Sequence, residues 1–322
     1  MIIREGGGRE SVKSIKFSII IPFKKPTVYL YECLTKIGKQ SYRNFEVILL
    51  PDKKEKFTYS KSRVIPTGQI GPAEKRDIGA KKSTGDILAF IDDDAYPEKA
   101  WLKNMVKNFA VAEIAAVGGP GVTPADVSWQ EQASGWFAAS PFGGGSYSYR
   151  FLPAVKRFID DYPSMNLAVR KSDFLKVGGF DSGYWPGEDT KLCLDLTYKL
   201  GKKIIYDPDV LVYHHRRELW GSHLRQNGNY GLHRGYFAKV LPKTSFRLVY
   251  FLPSFLVLGL FLFPKVVVPA YGLLLVINAF WIAAKSRSLF QGLISMPVVF
   301  LTHFWYGVRF IQGFLFTRRL TH

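Results

Sequence analysis

Three aspartates stand together where an apolar run stops. Ile87-Leu-Ala-Phe-Ile91 leads straight into Asp92-Asp93-Asp94, and Pro97 closes the stretch. A short continuous apolar run is the pattern of a strand buried on both faces, as in a parallel sheet. Open α/β sheets bind ligands at the carboxyl ends of their strands. Three carboxylates there raise one another's pKa unless a cation offsets them. Hard divalent cations take oxygen ligands and commonly bridge substrate phosphates. The chemistry that fits is a metal–diphosphate site with Asp92 and Asp94 as the working pair. A solvated acidic turn or helix cap is the plainer alternative.

Two further groups carry chemistry. Pro186-Gly187 makes a turn, and Glu188-Asp189 open a helix expected to run through Leu200. Acidic residues in a first helical turn are favoured by the helix dipole, which would explain the pair without any reaction. The apolar run from Val210 ends in His214-His215-Arg216-Arg217. Paired histidines beside paired arginines suit a metal, a diphosphate or both. They also suit a plain cap on an element.

The surrounding pattern supplies the elements to hold these groups. Apolar strands are expected at Phe17–Pro22 and Phe45–Leu50, with a short third near Val64–Pro66. Tyr29–Gln40 reads as a helix, because Leu30, Cys33, Leu34 and Ile37 share one face. Ala73–Lys82 reads as another, with Pro72 at its start, where proline is tolerated. Glu98–Ala112 follows the acidic strand as an amphipathic helix, and Ala115–Gly119, Asn166–Val169 and Lys203–Tyr206 are later strands. Strands alternating with helices argue for βαβ units and a largely parallel sheet. Ser140-Pro-Phe-Gly-Gly-Gly-Ser146 is a loop with unusual backbone freedom, either a plain linker or a flap over a substrate.

Bulk properties narrow the class. The chain has 322 residues, 47% of them hydrophobic, enough for a sizeable core. Cys33 and Cys193 form no spacing motif, so a reducing compartment is the default. Met1–Lys16 lacks the apolar segment of a signal peptide and reads as a flexible leader. The net charge is +18, and after Glu218 there are eleven Lys/Arg and no Asp/Glu. That excess flanks long apolar runs, which points to anionic lipid head groups; no nucleic-acid recognition motif accompanies it.

The runs are Leu248–Pro264, Val266–Ala284 and Ser288–Val308, of 17, 19 and 21 uncharged residues. A spanning helix needs about 20 apolar residues, so insertion in a bilayer is expected. Lys285 and Arg287, like Arg318 and Arg319, favour the cytoplasmic side. Both pairs can lie there if the third run is interfacial or re-entrant and the first two form a hairpin; three full spans are the other arrangement. His214–Lys243 mixes aromatic and basic residues, the composition of a helix in the head-group plane.

The separated motifs agree in order and spacing, and together the sequence resembles the family 2 inverting glycosyltransferases, which have the nucleotide-sugar-binding GT-A fold. The matching residues are Phe17-Ser-Ile-Ile-Ile-Pro22, Gly71-Pro-Ala-Glu-Lys-Arg76-Asp77-Ile-Gly79, Asp92-Asp-Asp94, Met165-Asn166, Gly178-Gly-Phe-Asp181, Gly187-Glu-Asp189-Thr190 and His214, over about residues 17–217. The resemblance implies roles. Pro22 and Asp52 stand where the family holds base and ribose, with Pro51-Asp52 in place of the usual two acidic residues. Arg76 and Asp77 match positions near the nucleotide and donor sugar; the family more often has Asn at the second. Asp92 and Asp94 match its Asp-x-Asp pair, with Asp93 beside them on the donor side, and Mg²⁺ or Mn²⁺ is the implied cofactor. His214 falls where some members add a metal or phosphate ligand, and His215 is an alternative. Asp189 matches the catalytic base.

On the acceptor side the candidates are Glu188, Trp185, Arg225 and Gln226, together with the Gly143–Gly145 loop. Leu224-Arg-Gln-Asn-Gly-Asn-Tyr-Gly231 is similar to the acceptor motif of processive members but lacks its Arg-Trp ending, so polymerisation is not inferred.

The expected protein is α/β: a GT-A, Rossmann-like catalytic domain with a mostly parallel sheet at residues 17–217, then an amphipathic juxtamembrane segment at 218–247 and membrane helices at 248–322. The expected function is transfer of a sugar, with inversion, from a nucleotide-diphosphate sugar to a polyprenyl-linked glycan or polyprenyl phosphate at the cytoplasmic face of a membrane. The competing expectation is a non-catalytic membrane protein that keeps the fold as a nucleotide-sugar or glycan binding module. Intact Asp92, Asp94 and Asp189 argue against it.

Overall fold

The computed structural model describes residues 14–54, 59, 62–184 and 187–319. The leader before Ser14 and the acceptor candidate Trp185 lie outside the described residues.

The chain begins as anticipated, with β1 (Phe17–Pro22), α1 (Val28–Gly38), β2 (Phe45–Leu50), β3 (Ser62–Val64), α2 (Pro72–Lys82) and β4 (Ile87–Ile91). It continues with β5 (Ala95–Pro97), α3 (Trp101–Asn108), β6 (Ile114–Gly118), β7 (Gly121–Val122) and α4 (Trp129–Ala139). A 3₁₀ turn at Gly145–Arg150 leads to β8 (Arg157–Ile159), β9 (Asn166–Arg170), α5 (Lys171–Val177), α6 (Glu188–Leu194), β10 (Lys203–Tyr206) and β11 (Val212–His214). The last third is helical: α7 (Gly221–Val240), α8 (Pro242–Ser245), α9 (Leu248–Leu262), α10 (Pro264–Ser286) and α11 (Leu289–Ile311).

The main sheet has the order β3-β2-β1-β4-β9-β6-β10-β8. Strands β3, β2, β1 and β4 pair in parallel, as do β6 and β10. β9 is inserted between β4 and β6, antiparallel to both, and β8 is an antiparallel edge. Every residue of β1, β4 and β6 is buried. Successive side chains alternate between the two faces, so β1 feeds two cores. Ile19 and Ile21 pack with α1 and α3, while Ile20 packs with α2, α5 and α6. Each buried aliphatic side chain is worth about 1.5–3 kcal/mol, and helices covering both faces let every strand position contribute.

Asn166 explains one motif structurally. Its Nδ2 donates to Gly119 O at 2.6 Å and Val210 O at 2.7 Å, and its Oδ1 accepts from Trp101 Nε1 at 2.9 Å. A fully buried amide with all its partners ties β9, the β6–β7 link and α3 together. Gly178 and Gly179 have φ of +96° and +84°, the left-handed region that side chains avoid. They form the turn that swings Phe180 back onto α2.

The apolar tail differs in detail from expectation. Among the described residues, the two helices long and apolar enough to cross a membrane are Pro264–Ser286 and Leu289–Phe316, the second being α11 with a terminal π turn. The first run yields only α9, of 15 residues, about 22 Å at 1.5 Å per residue. Phe263 departs from helical geometry and Pro264 starts the next helix, so the run is cut short. α11 packs along α7, α10, α9 and α4. The same side of α9 and α10 leaves Phe255, Leu258, Phe261, Leu273, Ile277 and Phe280 exposed. α7 is not a free surface helix: Gly228, Gly231 and Gly235 face α11 so closely that a Cβ on Gly235 would lie 2.2 Å from Phe310 O.

Candidate active site

β4 ends at Ile91, and the turn that follows carries Asp92, Asp93 and Asp94 before β5; ligand atoms of Asp92 and Asp94, but not of Asp93, come together with His214. The second, three-stranded sheet β5-β11-β7 completes the group. β11 pairs antiparallel with β5 so that His214 stands opposite Ala95, and His214 Nε2 comes 3.1 Å from Asp94 Oδ1. Ligand atoms of Asp92, Asp94 and His214 all lie within 4.8 Å of one another. Two carboxylates and an imidazole are a donor set that suits Mg²⁺ or Mn²⁺.

Their surroundings bias the charges. Burial raises the Asp94 carboxyl, but His214, Arg217 and Arg216 outweigh it and hold the pKa at about 2. Asp93 is pushed up to about 7 by burial and then by Asp94 and Asp92. Arg216 Nη1 donates to His214 Nδ1 at 3.0 Å. A guanidinium cannot accept, so in this arrangement Nε2 carries the ring proton and donates to Asp94. His214 becomes a cation ligand only when Arg216 releases Nδ1. His215 points elsewhere, to Glu131 and Glu32, each at 3.0 Å.

Arg76 joins this group to the start of α6. Its Nη2 donates to Asp92 Oδ1 at 2.6 Å and its Nη1 to Glu188 Oε1 at 3.2 Å. Glu188 is buried, and burial, then Asp189, raises it to about 7 against the pull of Arg76. Asp189 is raised too, by burial and then Asp161, with Arg234 opposing. Its Oδ1 accepts from Thr190 N at 2.7 Å.

Behind Asp189 is a second charged cluster. Asp161 is buried and accepts from Thr190 Oγ1 at 2.9 Å, Arg234 Nη2 at 2.8 Å and Arg150 Nη2 at 3.3 Å. Burial raises this carboxyl, but the two arginines and Thr190 overcome it and leave it well below the usual range. Two cations thus face one anion. A cavity of about 810 Å³ is lined by Asp92, Asp94, His214, Glu188, Asp189, Arg150 and Arg234 and by Leu252, Leu256 and Leu274; Arg234 links the start of α6, through Asp161 and Thr190, to Tyr250 at the start of the apolar helix α9. The apolar end is walled by α9, α10 and α11.

Residues 18–174 match the model of glycosyl transferase family 2. They form a family 2 glycosyltransferase domain. The chain is 32% identical to the pre-mycofactocin glycosyltransferase of Mycobacterium tuberculosis over 46% of its own length, and spans 31% of that relative. A dolichyl N-acetyl-α-D-glucosaminyl phosphate glycosyltransferase of Methanococcus voltae, which adds a diacetamido-dideoxy-glucuronosyl unit by its full name, is 24% identical over 92% of this chain and 97% of that one. The fold matches a mannosyltransferase from Pyrobaculum calidifontis, solved with GDP-Man and Mn²⁺, at a TM-score of 0.57 and 17% identity, over 94% of this chain and 88% of that one. The architecture is that of the GT-A glycosyltransferases.

The fold brings together Arg76, Asp92, Asp94, His214, Glu188, Asp189 and Gln226 around one cavity. Five expected residues do not line it. Pro22 and Asp52 stand at the carboxyl ends of β1 and β2, on the open side of the sheet. Asp93, in the turn after β4, lines neither the cavity nor the group formed by Asp92, Asp94 and His214. Asp77 accepts from Phe180 N at 2.9 Å and holds the Gly178–Gly179 turn. Arg225 is exposed on the outer face of α7 and does not line the cavity either. The Gly143–Gly145 loop, in contrast, is part of the cavity wall.

Sequence reasoning missed Lys75, Arg150, Asp161, Arg234 and Tyr250. Lys75 is buried and donates to Phe23 O at 2.6 Å, Leu50 O at 3.3 Å and the Asp52 carboxylate, fixing the end of β2. A signal for Arg234 existed: Gln226, Tyr230 and Arg234 recur every four residues of α7, opposite its glycine face.

Proposed function

We propose that this chain is a membrane-associated inverting glycosyltransferase that moves a sugar from a nucleotide-diphosphate donor to an isoprenoid-linked acceptor. The observation that carries this reading is the single cavity that starts at Asp92, Asp94 and His214 and ends among the apolar side chains of α9 and α10. β1 alone separates β2 from β4, so a nucleotide can run from Asp92 and Asp94 across β1 toward Asp52. The name of the Methanococcus voltae relative specifies a dolichyl-phosphate-linked sugar as its acceptor, which agrees with an apolar cavity end.

Asp92 and Asp94 would hold the divalent cation, with His214 joining when Arg216 turns away. A cation held by these side chains would supply positive charge to offset the leaving diphosphate. Arg76 orients Asp92 and Glu188 together, so the metal site and the start of α6 share one guanidinium. Asp189 takes the proton of an attacking hydroxyl; burial, then Asp161, raises its pKa and makes it a stronger base. No protein nucleophile is required, because a single displacement inverts the anomeric centre. An acceptor that attacks through an already deprotonated phosphate would leave Asp189 only a positioning role. The exposed apolar faces of α9 and α10, rimmed by Arg247, Lys265, Lys285 and Arg287, sit in the bilayer with the catalytic domain on the cytoplasmic side.

The deciding experiment is calorimetric binding of UDP, GDP and dTDP to the full chain in detergent, with and without Mn²⁺. Mn²⁺-dependent binding of one nucleotide, abolished by Asp94→Ala, is expected. Folded protein that binds none of the three would overturn the reading.

A further inference from the structure

We propose that Arg150, Arg234 and Tyr250 form a subsite for the phosphate of an isoprenoid phosphate, placed between the catalytic carboxylates and the apolar end of the cavity. The proposal rests on the transferase reading and specifies where that acceptor's charge is held.

The argument begins with unmet hydrogen-bonding capacity. Tyr250 is 8% exposed, and among the described residues its hydroxyl has no partner. Arg150 Nε is also buried without a partner. Both side chains line the cavity, although they come from α9 and from the 3₁₀ turn after the glycine loop. Buried polar groups are nearly always paired, and each orphan costs about 1–3 kcal/mol. Two buried donors without partners, both on side chains that line one cavity, suit an oxygen-rich ligand that those side chains can turn toward.

Charge points the same way. Arg150 and Arg234 both pair with the one carboxylate of Asp161, and Asp189 is the other carboxylate near them. Tyr147 and Tyr250 stack on the two guanidiniums, with cation-to-ring distances of 4.5 Å and 4.9 Å. The rings hold the two forks in place and shield them from water, so an entering anion meets preorganised donors. Arg216 belongs to the other end of the cavity, through His214, and is left for the donor diphosphate.

Position then selects the ligand's other half. Tyr250 is followed one turn along α9 by Pro253 and Leu256, and these line the cavity with Leu252 of α9 and Leu274 of α10. A phosphate held by Tyr250 would therefore direct an esterified hydrocarbon chain along α9 and α10. Its opposite side would face Asp189. A lipid-linked sugar or a bare lipid phosphate presents this same phosphate.

The test uses the full chain in detergent and farnesyl phosphate, farnesol and inorganic phosphate as probes. Farnesyl phosphate should bind at least about tenfold more tightly than either of the others, since charged hydrogen bonds and apolar burial each contribute. Arg234→Gln should weaken it by about tenfold or more. Tyr250→Phe is the cleaner variant. Its hydroxyl has no partner among the described residues, so the variant should melt no lower than wild type, yet bind farnesyl phosphate about fivefold to tenfold less tightly. Equal binding of farnesol would make this a plain apolar groove, and equal binding of inorganic phosphate a free-anion site; either overturns the proposal. So would wild-type affinity in Tyr250→Phe. Mn²⁺-dependent nucleotide binding is measured in parallel. If it persists while farnesyl phosphate fails, only the subsite is wrong; if it is absent, the transferase reading falls first.

Discussion

The two ends of the cavity are built in different ways. The donor end is local: Asp92 and Asp94 follow directly on β4, and a short pairing of β11 with β5 brings His214 to them. The acceptor end is dispersed. Arg150, Asp161, Thr190, Arg234 and Tyr250 come from five separate segments, and three of the cavity's walls belong to the apolar tail. Strand ends impose geometry through the backbone, so a tripeptide suffices to mark a site there. A buried ion cluster between helices needs every partner at once, because a charge left alone in an apolar surrounding is expensive. The difference implies that the donor end tolerates substitution without unfolding, whereas the acceptor end couples binding to stability.

The largest expected effect separates chemistry from binding. Asp189→Asn should lower kcat by about 10²- to 10⁴-fold, the usual worth of a general base, while leaving Mn²⁺-dependent nucleotide binding intact. Steady-state turnover with any accepted donor and a lipid-linked glycan reads this out. A much smaller loss would mean that the acceptor attacks through an oxygen that has already lost its proton. The contrast between the two ends would then survive, with Asp189 reassigned to positioning.

Next in size is a stability effect confined to the acceptor end. Asp161→Asn leaves Arg150 and Arg234 buried without their counter-ion. Breaking such a group by removing one partner costs about 3–5 kcal/mol. Asp94→Ala removes a carboxylate at a solvent-reachable strand end and should change the melting temperature far less, although it abolishes metal-dependent binding. Melting curves for the two variants side by side test the comparison directly. Equal destabilisation would break it.

How much of this was legible in the sequence follows the same division. β1, β2, β4 and β6 are fully or almost fully apolar and could be read as buried strands. The acidic triplet and Glu188-Asp189 could be read because their meaning depends on the element just before or after them. α4 was not anticipated. Its apolar contacts spread around the helix: Ala133 and Phe137 cluster with Val298 and Val299 of α11, Trp129 meets Phe290 of α11 and Trp136 meets Trp281 of α10, so no single apolar stripe remains. β5, β7 and β11 have two or three residues each, too few for a period. The roles of Asp77 and Lys75 were hidden for a related reason: both are fixed by backbone groups of distant segments, Phe180 N in one case and Phe23 O and Leu50 O in the other. His214 and His215 were indistinguishable as letters, and only the β11 register separates them.

The smallest expected effect is a pair of opposing pH slopes in the metal-free protein, one from each end. Glu188, at the donor end, has its folded pKa raised to about 7 from an ordinary 4.5. Between those values the folded state holds a proton that the unfolded chain has lost, so this group's contribution to stability falls as pH rises. His223 is buried between α4 and α11, with Nδ1 2.8 Å from Ser134 Oγ and Nε2 2.9 Å from Thr302 Oγ1. Burial lowers its pKa to about 4 from 6.5. Between those values the unfolded chain takes up a proton that the folded one refuses, so stability falls as pH drops. The windows overlap from about pH 4.5 to 6.5, where the two slopes offset one another, each worth at most about 1 kcal/mol per pH unit. Glu188→Gln should leave a profile that weakens toward acid, and His223→Asn one that weakens toward neutrality. Chemical denaturation with chelator at pH 5 and pH 6.5 measures both tilts. If the two variants tilt the same way, the donor and acceptor ends do not hold their protons in the opposite senses that their surroundings require.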